Sequence, residues 1–290
     1  MNTVKLNNGI EMPQMGYGVY QVSPAECERC VSDALSVGYR MIDTAQAYHN
    51  EEGVGNAVRK SGIDRKEIFL VSKIWISNYG YEKAKASIDE SLRRLQTDYI
   101  DLMLLHQPFC DRYGAYRALE DAYKEGKLHA IGVSNFYPDH FIDIASNMEI
   151  VPAVNQVETH VFNQQVEAQR IMEEFGTRIM SWGPFAEGRN GFFTNPILAD
   201  IGHKYGKSVA QVALRWLIQR GVIIIPKSTH VERMRQNIDI FDFSLSDGDM
   251  RTIATLDTGK SLFFNHHDAE TAVVFQKVCL GRRLQILQIC

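Results

Sequence analysis

Short apolar runs alternate with longer amphipathic stretches along most of the chain. The runs are rich in Val, Ile and Leu, and most are continuous rather than alternating with polar residues. They occupy residues 68–74, 100–106, 129–135, 151–157, 178–182 and 222–227. Continuous runs of this kind are typical of parallel strands that are covered on both faces. Two weaker runs, 15–19 and 40–42, bring the predicted number of strands to eight.

The stretches between the runs contain the start and stop signals of helices. Residues 23–38 begin with Ser-Pro and end with Gly, which predicts a capped helix. From 81 to 95 the apolar residues keep the three-four spacing of one helical face. Further helices are predicted at 208–221 and from a capping-box pattern at 246–249.

This alternation of strand and helix predicts an α/β fold with a parallel sheet. Eight units favour a (β/α)8 TIM barrel with extra C-terminal helices, and an open doubly wound sheet is the alternative. The segment VKLNNGIEM predicts a separate N-terminal β-hairpin that turns at Asn8 and Gly9 and could cover the bottom of a barrel. Because no Ser-, Pro- or Gly-rich linker divides the chain, residues 1–290 are predicted to form a single domain, with 276–290 as an atypical tail.

Charge and composition narrow the class of protein. With a net charge of −4 and no run of Lys or Arg, the chain lacks the basic face of a nucleic-acid-binding protein. No apolar run approaches the ~18 residues of a membrane-spanning helix, and the N-terminus lacks a signal-peptide pattern. Neither nucleic acid nor membrane is therefore a predicted partner. The five scattered cysteines favour reduced thiols over a disulfide framework, which predicts a cytoplasmic protein.

Cys27 and Cys30 form a C-x-x-C pattern inside a predicted helix, without a second pair elsewhere. Such a pattern is compatible with zinc or redox chemistry. Two incidental thiols are the favoured interpretation, and no metal site is predicted.

Polar or charged side chains occur at the ends of the predicted strands, where a core strand should remain apolar. Seven residues stand at or near these ends: Asp43, Lys73, His106, Asn135, Gln156, Trp182 and Lys227. All of them except Trp182 are polar or charged. In a (β/α)8 barrel the C-terminal ends of several strands build the active site together. The sequence therefore predicts a site to which most of the strands contribute.

Three residues of this set, Asp43, Lys73 and His106, together with the nearby Tyr48, are suited to proton transfer by a tyrosine. A free phenol has a pKa of about 10 and is too weak an acid at neutral pH. An ammonium group such as that of Lys73 lowers the pKa of a nearby phenol, and Asp43 can hold that lysine charged and in place. We therefore hypothesise that Tyr48 donates a proton while His106 orients a substrate carbonyl. The alternative for Asp43 is the N-cap of the following helix.

These residues lie in segments that resemble the aldo-keto reductases, in particular the bacterial type grouped with 2,5-diketo-D-gluconate reductase and glyoxal reductase. The segments follow one another in family order and at family spacing, and they cover nearly all of the chain. They are MIDTAQAYHNEEGVG (41–55), LVSKIW (70–75), DLMLLHQP (101–108), GKLHAIGVSNF (126–136), PAVNQVETH (152–160), IIPKSTHVERMRQN (224–237) and LDTGKSLFF (256–264). The resemblance implies a catalytic tetrad of Asp43, Tyr48, Lys73 and His106.

The resemblance also implies NADPH (NADP+ in its oxidised form) as the cofactor and hydride transfer to an aldehyde or ketone carbon. Ser134, Asn135 and Gln156 would hold the nicotinamide carboxamide. Trp182 would stack on the nicotinamide ring, although a strand tryptophan taken alone is more often a core residue.

The phosphates of the cofactor are expected at the start of a helix. Ser228 and Thr229 precede a predicted helix whose capping residue is Glu232, so its free N–H groups would face an anion. Nearby cations suit the extra phosphate of NADP, and the family's adenine contacts follow one turn later. The residues expected in these roles are Lys227, Ser228, Thr229, Arg233, Gln236 and Asn237. A solvated basic helix start is the alternative.

The substrate pocket is predicted from four residues: Tyr20, His49, Trp75 and Gln107. Gln107 stands where many relatives have a tryptophan, and Tyr20 also stands in place of a common tryptophan. The pocket is therefore expected to be less purely aromatic than in those relatives. His266 and His267 are expected on the surface.

The sequence thus predicts a monomeric or weakly associated NADPH-dependent reductase of small carbonyl compounds, such as α-dicarbonyls, aromatic aldehydes or keto sugars. One alternative is a regulatory NADP-binding protein on the same fold that acts through partners. The other is a Schiff-base aldolase with Lys73 as nucleophile, which would require a neutral lysine. An acidic neighbour at Asp43 argues against that chemistry.

Overall fold

A computed structural model describes residues 2–281, and its centre is a sheet of eight parallel strands. The strands are hydrogen-bonded in the order in which they occur along the chain. They are β3 (Tyr17–Gly18), β4 (Met41–Asp43), β5 (Phe69–Ile74), β6 (Leu102–Leu105), β7 (Ile131–Ser134), β8 (Val154–Glu158), β9 (Arg178–Trp182) and β10 (Ile223–Ile224).

Hydrogen bonds between the two edges close this sheet into a barrel. Met15, just before β3, forms a parallel bridge with Ile224 of β10. The Gly16 N–H donates to the Ile224 carbonyl at 2.8 Å, and the Ile224 N–H donates to the Gln14 carbonyl at 3.0 Å. The predicted (β/α)8 barrel is therefore confirmed, and the open doubly wound sheet is excluded.

Helices follow the strands, and two of them separate β9 from β10. The helices are α1 (Pro24–Val37), α2 (Glu51–Lys60), α3 (Tyr81–Leu95), α4 (Arg112–Lys124), α5 (Pro138–Asn147), α6 (Val166–Glu174), α7 (Pro196–Tyr205), α8 (Val209–Gln219), α9 (Val231–Ile238), α10 (Asp247–Ala254) and α11 (Ala269–Cys279). The predicted capping box at Ser246 is present, and Ser208, predicted only to open a helix, forms a capping box as well. The extra C-terminal helices, α10 and α11, are confirmed as well. No helix within residues 2–281 is both long and apolar enough to cross a membrane.

The predicted N-terminal hairpin consists of β1 (Thr3–Lys5) and β2 (Glu11–Pro13), which pair antiparallel. Gly9 in its turn has a φ of 90°, a left-handed conformation that a side chain would disfavour. Met12 of the hairpin is fully buried, in a cluster with the first residues of three strands: Met41, Phe69 and Leu102. The hairpin therefore covers the N-terminal end of the barrel and leaves the other end for a site.

Cys110 and Cys279 form a disulfide, with Cα atoms 6.4 Å apart. The expectation of five reduced thiols is therefore wrong for these two residues. The bridge joins positions 169 residues apart, because α11 packs back near the loop after β6, and cysteine spacing cannot reveal such a contact. Cys27 and Cys30 are buried free thiols on α1. The atypical tail is described only as far as Gly281, and residues 282–290 of that prediction lie outside the described part.

Candidate active site

A cavity of about 760 Å³ opens at the C-terminal ends of the strands. Six of the seven strand-end residues singled out from the sequence line it: Asp43, His106, Asn135, Gln156, Trp182 and Lys227. The seventh, Lys73, lies beneath the cavity with its side chain fully buried. The strand ends therefore come together in the predicted place.

Asp43 and Lys73 form a buried ion pair at the base of this cavity. The Lys73 Nζ donates to Asp43 Oδ1 at 2.6 Å and to the Thr44 carbonyl at 2.9 Å. Burial lowers the pKa of Lys73, and the carboxylate of Asp43 opposes that shift. The following short 3-10 helix has Ala45 as its N-cap, so Asp43 does not act as a helix cap. The carboxylate therefore serves to hold the lysine.

Gln156 fixes the other oxygen of the same carboxylate. Its Nε2 donates to Asp43 Oδ2 at 2.8 Å, from a side chain that is itself buried. This contact joins residues 113 positions apart, on β4 and β8. Gln156, expected from the sequence to bind only the cofactor, therefore has a second role that the sequence does not predict.

Tyr48 lies at the end of the short 3-10 helix Gln46–Tyr48, half-buried and lining the cavity. The Lys73 Nζ is 5.1 Å from the centre of the Tyr48 ring. The His106 ring lies 5.7 Å away and the Tyr20 ring 5.2 Å away, measured between ring centroids. The four tetrad residues therefore form one cluster, with the phenol between the buried ammonium and the open cavity.

His106 is positioned by the end of β6 and is buried between two aromatic rings. Its ring lies 5.1 Å from that of Trp75. Burial, and then the charge of Lys73, hold the pKa of His106 well below its usual value, so the imidazole is neutral at physiological pH. A neutral imidazole has one N–H to donate. His106 is thus suited to hold a carbonyl oxygen without adding a charge to the cavity.

A hydrogen-bond network connects Ser134, Asn135 and Gln156 with Trp182. Asn135 has a φ of 65°, and its Nδ2 donates to the His106 carbonyl at 3.1 Å. The Trp182 Nε1 donates to Asn135 Oδ1 at 2.8 Å, and Ser134 Oγ donates to the Gln156 carbonyl at 2.9 Å. Trp182 is half-buried and lines the cavity, so it is more than a core residue.

The start of α9 differs from the prediction in its capping residue. The helix begins at Val231 with His230 as N-cap, which places Glu232 one position short of where a capping-box glutamate must stand. Glu232 instead pairs with Arg235 at 3.0 Å. Ser228 Oγ accepts the His230 N–H at 3.1 Å. The prediction of a capping Glu232 is therefore wrong: Glu232 is the second residue of the helix, and a capping-box glutamate is the third.

The cofactor candidates beyond Lys227 extend from just before this helix to its last turn, and none of them is part of the cavity lining. Ser228 and Asn237 are buried, Thr229 is half-buried, and Arg233 and Gln236 are exposed. The N–H groups in the first turn of a helix have no partner within the helix itself. The segment therefore offers backbone donors together with the positive charges of Lys227 and Arg233.

The structure brings together three of the four predicted substrate residues. Tyr20, Trp75 and Gln107 line the same cavity as the tetrad. His49 is exposed, has a φ of 56°, and lines a separate recess of about 440 Å³ instead. His49 caps the C-terminal end of the short 3-10 helix in a left-handed conformation. Because it lines the other recess, the geometry argues against a substrate contact for His49.

Two segments of the cavity lining were not identified from the sequence. One is the irregular loop after β9, whose lining residues are Gly183, Pro184, Phe185, Glu187, Gly188, Arg189 and Phe193. The other contributes Phe263 and Phe264, after α10. The glycine- and phenylalanine-rich stretch after a predicted strand end was an available signal for the first. The two segments contact each other, since Arg189 donates to the Leu262 carbonyl and lies 4.1 Å from the Phe263 ring centre.

Glu158 at the end of β8 anchors the C-terminal segment over the cavity. Its carboxylate accepts hydrogen bonds from Ser261 Oγ and from the Leu262 N–H, the latter at 2.9 Å. Further along, His266 is buried, with 4% of its surface exposed, so its expected surface position is wrong. His267 is half-exposed, as expected. Folding of this segment onto the end of β6 buries the first histidine, which no local pattern predicts.

Comparison with known proteins agrees with this geometry. A sequence model described as "Aldo/keto reductase family" matches residues 9–258. The chain is 47% identical over 257 residues to the glyoxal reductase of Bacillus subtilis (strain 168). This alignment covers 88% of this chain and 92% of that protein. It is 39% identical over 262 residues to the methylglyoxal reductase DkgA of Escherichia coli (strain K12), with coverages of 89% and 94%.

Among solved structures, the Bombyx mori aldo-keto reductase AKR2E4, in complex with NADP, superposes with a TM-score of 0.86. It is 32% identical, and the match covers 93% of this chain and 96% of that one. The matches extend over the barrel and over every strand end that lines the cavity. The chain belongs to the aldo/keto reductase family.

Proposed function

We propose that the protein reduces the carbonyl group of small aldehydes or ketones with NADPH, and that Tyr48 donates the proton. The observation on which this rests is the buried Asp43–Lys73 pair next to Tyr48, with the neutral His106 on the same cavity. NADPH, when bound, supplies the hydride. Everything else in the reaction is assigned to side chains of this chain.

The cavity residues fit the nicotinamide end of this cofactor. A primary carboxamide has two N–H donors and one carbonyl acceptor, and amide oxygens have two lone pairs each. Asn135 Oδ1 accepts one hydrogen bond from Trp182 and has room for a second, and Gln156 Oε1 is a further acceptor. The indole of Trp182 offers an aromatic surface beside them. Ser134, Asn135, Gln156 and Trp182 are therefore assigned to this end of the cofactor.

The phosphate end is assigned to the start of α9. Ser228, Thr229 and the first-turn N–H groups supply donors, and Lys227 and Arg233 supply positive charge. Two cations beside a helix start suit the additional phosphate that distinguishes NADP from NAD. Gln236 and Asn237 are assigned to the adenine. A family member that is 32% identical has been solved with NADP, which supports the same choice here.

In the proposed proton transfer each residue of the tetrad has one role. His106 donates its N–H to the carbonyl oxygen and orients it, and Tyr48 gives its hydroxyl proton to that oxygen. The ammonium of Lys73 favours the resulting phenolate by its charge. Asp43 holds Lys73, and Gln156 holds Asp43. The aldolase alternative loses support, because a fully buried lysine bonded to a carboxylate cannot reach a substrate.

The substrate class proposed is the α-dicarbonyls, with aromatic aldehydes and keto sugars as further candidates. Two relatives are named for glyoxal and methylglyoxal reduction. The cavity wall combines the aromatic residues Tyr20 and Trp75 with the amide of Gln107, a mixture that suits small oxygen-rich carbonyl compounds. Within this proposal the protein acts as a single-domain monomer in the cytoplasm, as expected from the sequence.

The experiment that tests this function is oxidation of NADPH, followed by absorbance, with methylglyoxal, phenylglyoxal, nitrobenzaldehyde and a diketo sugar acid. Turnover of at least one dicarbonyl is the expected result. Tight binding of NADPH without turnover of any compound would contradict the reductase function and support a regulatory protein on the same fold. NADH serves as the matched cofactor control, and a preference for NADPH is expected.

A further inference from the structure

Gln107 is held from two sides at the edge of the cavity. Its backbone is fixed by the buried Tyr79, whose hydroxyl donates to the Gln107 carbonyl at 2.8 Å and accepts the Gln107 N–H at 3.1 Å. Its side-chain Oε1 lies 2.8 Å from the Nε2 of His266. The amide therefore has a fixed position directly after His106, on the wall of the cavity.

His266 is enclosed by aromatic rings from three parts of the chain. Its ring lies 4.8 Å from that of Phe264, 5.9 Å from Phe109 and 6.1 Å from Phe275. Burial lowers the pKa of His266 to about 3, so the ring is neutral at physiological pH and has one N–H. Its Nδ1 has no hydrogen-bond partner within residues 2–281. The tautomer that satisfies the Gln107 oxygen has its proton on Nε2.

This arrangement determines which end of the Gln107 amide faces the cavity. With the oxygen engaged by His266, the amide nitrogen and its two N–H donors are the groups left for a ligand. We propose that Gln107 selects substrates with a second oxygen acceptor beside the reacting carbonyl, and that His266 is the positioning residue that orients it. The inference deepens the proposed function and rests on it.

The chemistry of the neighbouring group makes the proposal specific. An oxo group next to the reacting carbonyl accepts a hydrogen bond from the amide N–H, whereas a methylene group cannot. If the amide were reversed, its oxygen would face the cavity and would favour a neighbouring hydroxyl over an oxo group. At that position methylglyoxal has an oxo group, propionaldehyde a methylene group and lactaldehyde a hydroxyl group. The three aldehydes are otherwise identical.

The test compares the ratio of kcat/KM for methylglyoxal to that for propionaldehyde in four proteins: the parent, Gln107→Leu, His266→Phe and His267→Phe. Lactaldehyde is measured beside them as the hydroxyl analogue. The intrinsic electrophilicity of each aldehyde is the same in every enzyme, so it cancels when the ratios are compared. Gln107→Leu should lower the ratio about tenfold, the effect of one hydrogen bond. His266→Phe preserves an aromatic ring among its neighbours and should lower the ratio about threefold or more. The half-exposed control, His267→Phe, should leave the ratio as in the parent.

The contrary results are distinct from one another. If the parent reduces both aldehydes and Gln107→Leu leaves the ratio unchanged, the inference fails while the proposed function stands. If the parent reduces neither, the proposed function fails and the inference fails with it. A lower ratio in Gln107→Leu with an unchanged ratio in a folded His266→Phe would overturn the positioning role of His266. A preference of the parent for lactaldehyde over methylglyoxal that disappears in Gln107→Leu would mean that the amide is reversed, and would overturn the inference.

Discussion

The Nζ of Lys73 lies 2.6 Å from Oδ1 of Asp43, and neither side chain is more than 2% exposed to solvent. A buried ion pair of this kind is weak evidence for stability, because desolvation of both charges offsets much of their attraction. Its presence next to Tyr48 is better explained by chemistry. In the proposed mechanism the pair keeps a positive charge beside the phenol of Tyr48, at the edge of the cavity.

Replacing Asp43 by asparagine should remove this charge from the site. The variant leaves an unpaired lysine that burial would drive toward its neutral form, so we expect a fall in kcat of at least about 100-fold. The free energy of unfolding should fall by about 3–5 kcal/mol, as measured by urea denaturation. The double variant Asp43→Asn/Lys73→Met should recover part of the stability and none of the activity. Full activity in Asp43→Asn would show that the pair has no part in proton transfer.

Two buried neutral histidines should make the protein less stable in acid. The pKa of His106 is well below its usual value in the folded state, and that of His266 is about 3, whereas both would titrate near 6.5 when unfolded. Between these values the unfolded chain binds more protons, so stability falls as the pH drops below about 6.5. Each histidine contributes a slope of up to ~1.4 kcal/mol per pH unit. His266→Phe lacks one of the two contributions, so its free energy of unfolding, measured by urea denaturation between about pH 4 and 5.5, should depend less steeply on pH than that of the parent. An unchanged pH dependence would contradict the buried neutral state of His266.

Trp182 should affect the binding of NADPH more than the chemical step. Truncation in Trp182→Ala removes the aromatic surface beside Asn135, and we expect the Kd of NADPH to rise about tenfold. Trp182→Phe retains a ring and loses only the hydrogen bond to Asn135, so its effect should be smaller. Titration of NADPH fluorescence measures both constants. Equal effects of the two variants would indicate that the hydrogen bond, and not the ring, is what matters.

The disulfide between Cys110 and Cys279 should stabilise the C-terminal helix against the barrel. Reduction of the parent is expected to lower the free energy of unfolding by about 2–4 kcal/mol. Cys279→Ser should show the lower stability from the start and no further response to a reducing agent. Thermal unfolding with and without reductant provides the comparison. If both proteins respond equally to the reductant, the link is absent in solution.

Much of the barrel and of the site could be predicted because the relevant signals are local. A polar residue that ends an apolar strand is visible in the sequence, and the barrel topology then places Asp43, His106 and Gln156 at one end. Other features depend on contacts that the chain makes only once it is folded. Examples are the burial of His266 against the end of β6 and the bridge across 169 residues to Cys279. The start of α9 was misplaced by one residue, which removed Glu232 from its expected capping position.

The most direct test of the central claim is turnover of methylglyoxal by Tyr48→Phe, measured beside the Kd of NADPH. The substitution removes only the hydroxyl that is proposed to donate the proton. We predict that kcat falls by at least about 100-fold, while the Kd of NADPH stays within about twofold of the parent, a free-energy difference under ~0.5 kcal/mol. A variant that binds NADPH normally and still turns over methylglyoxal at a rate near that of the parent would contradict the assignment of Tyr48 as the proton donor.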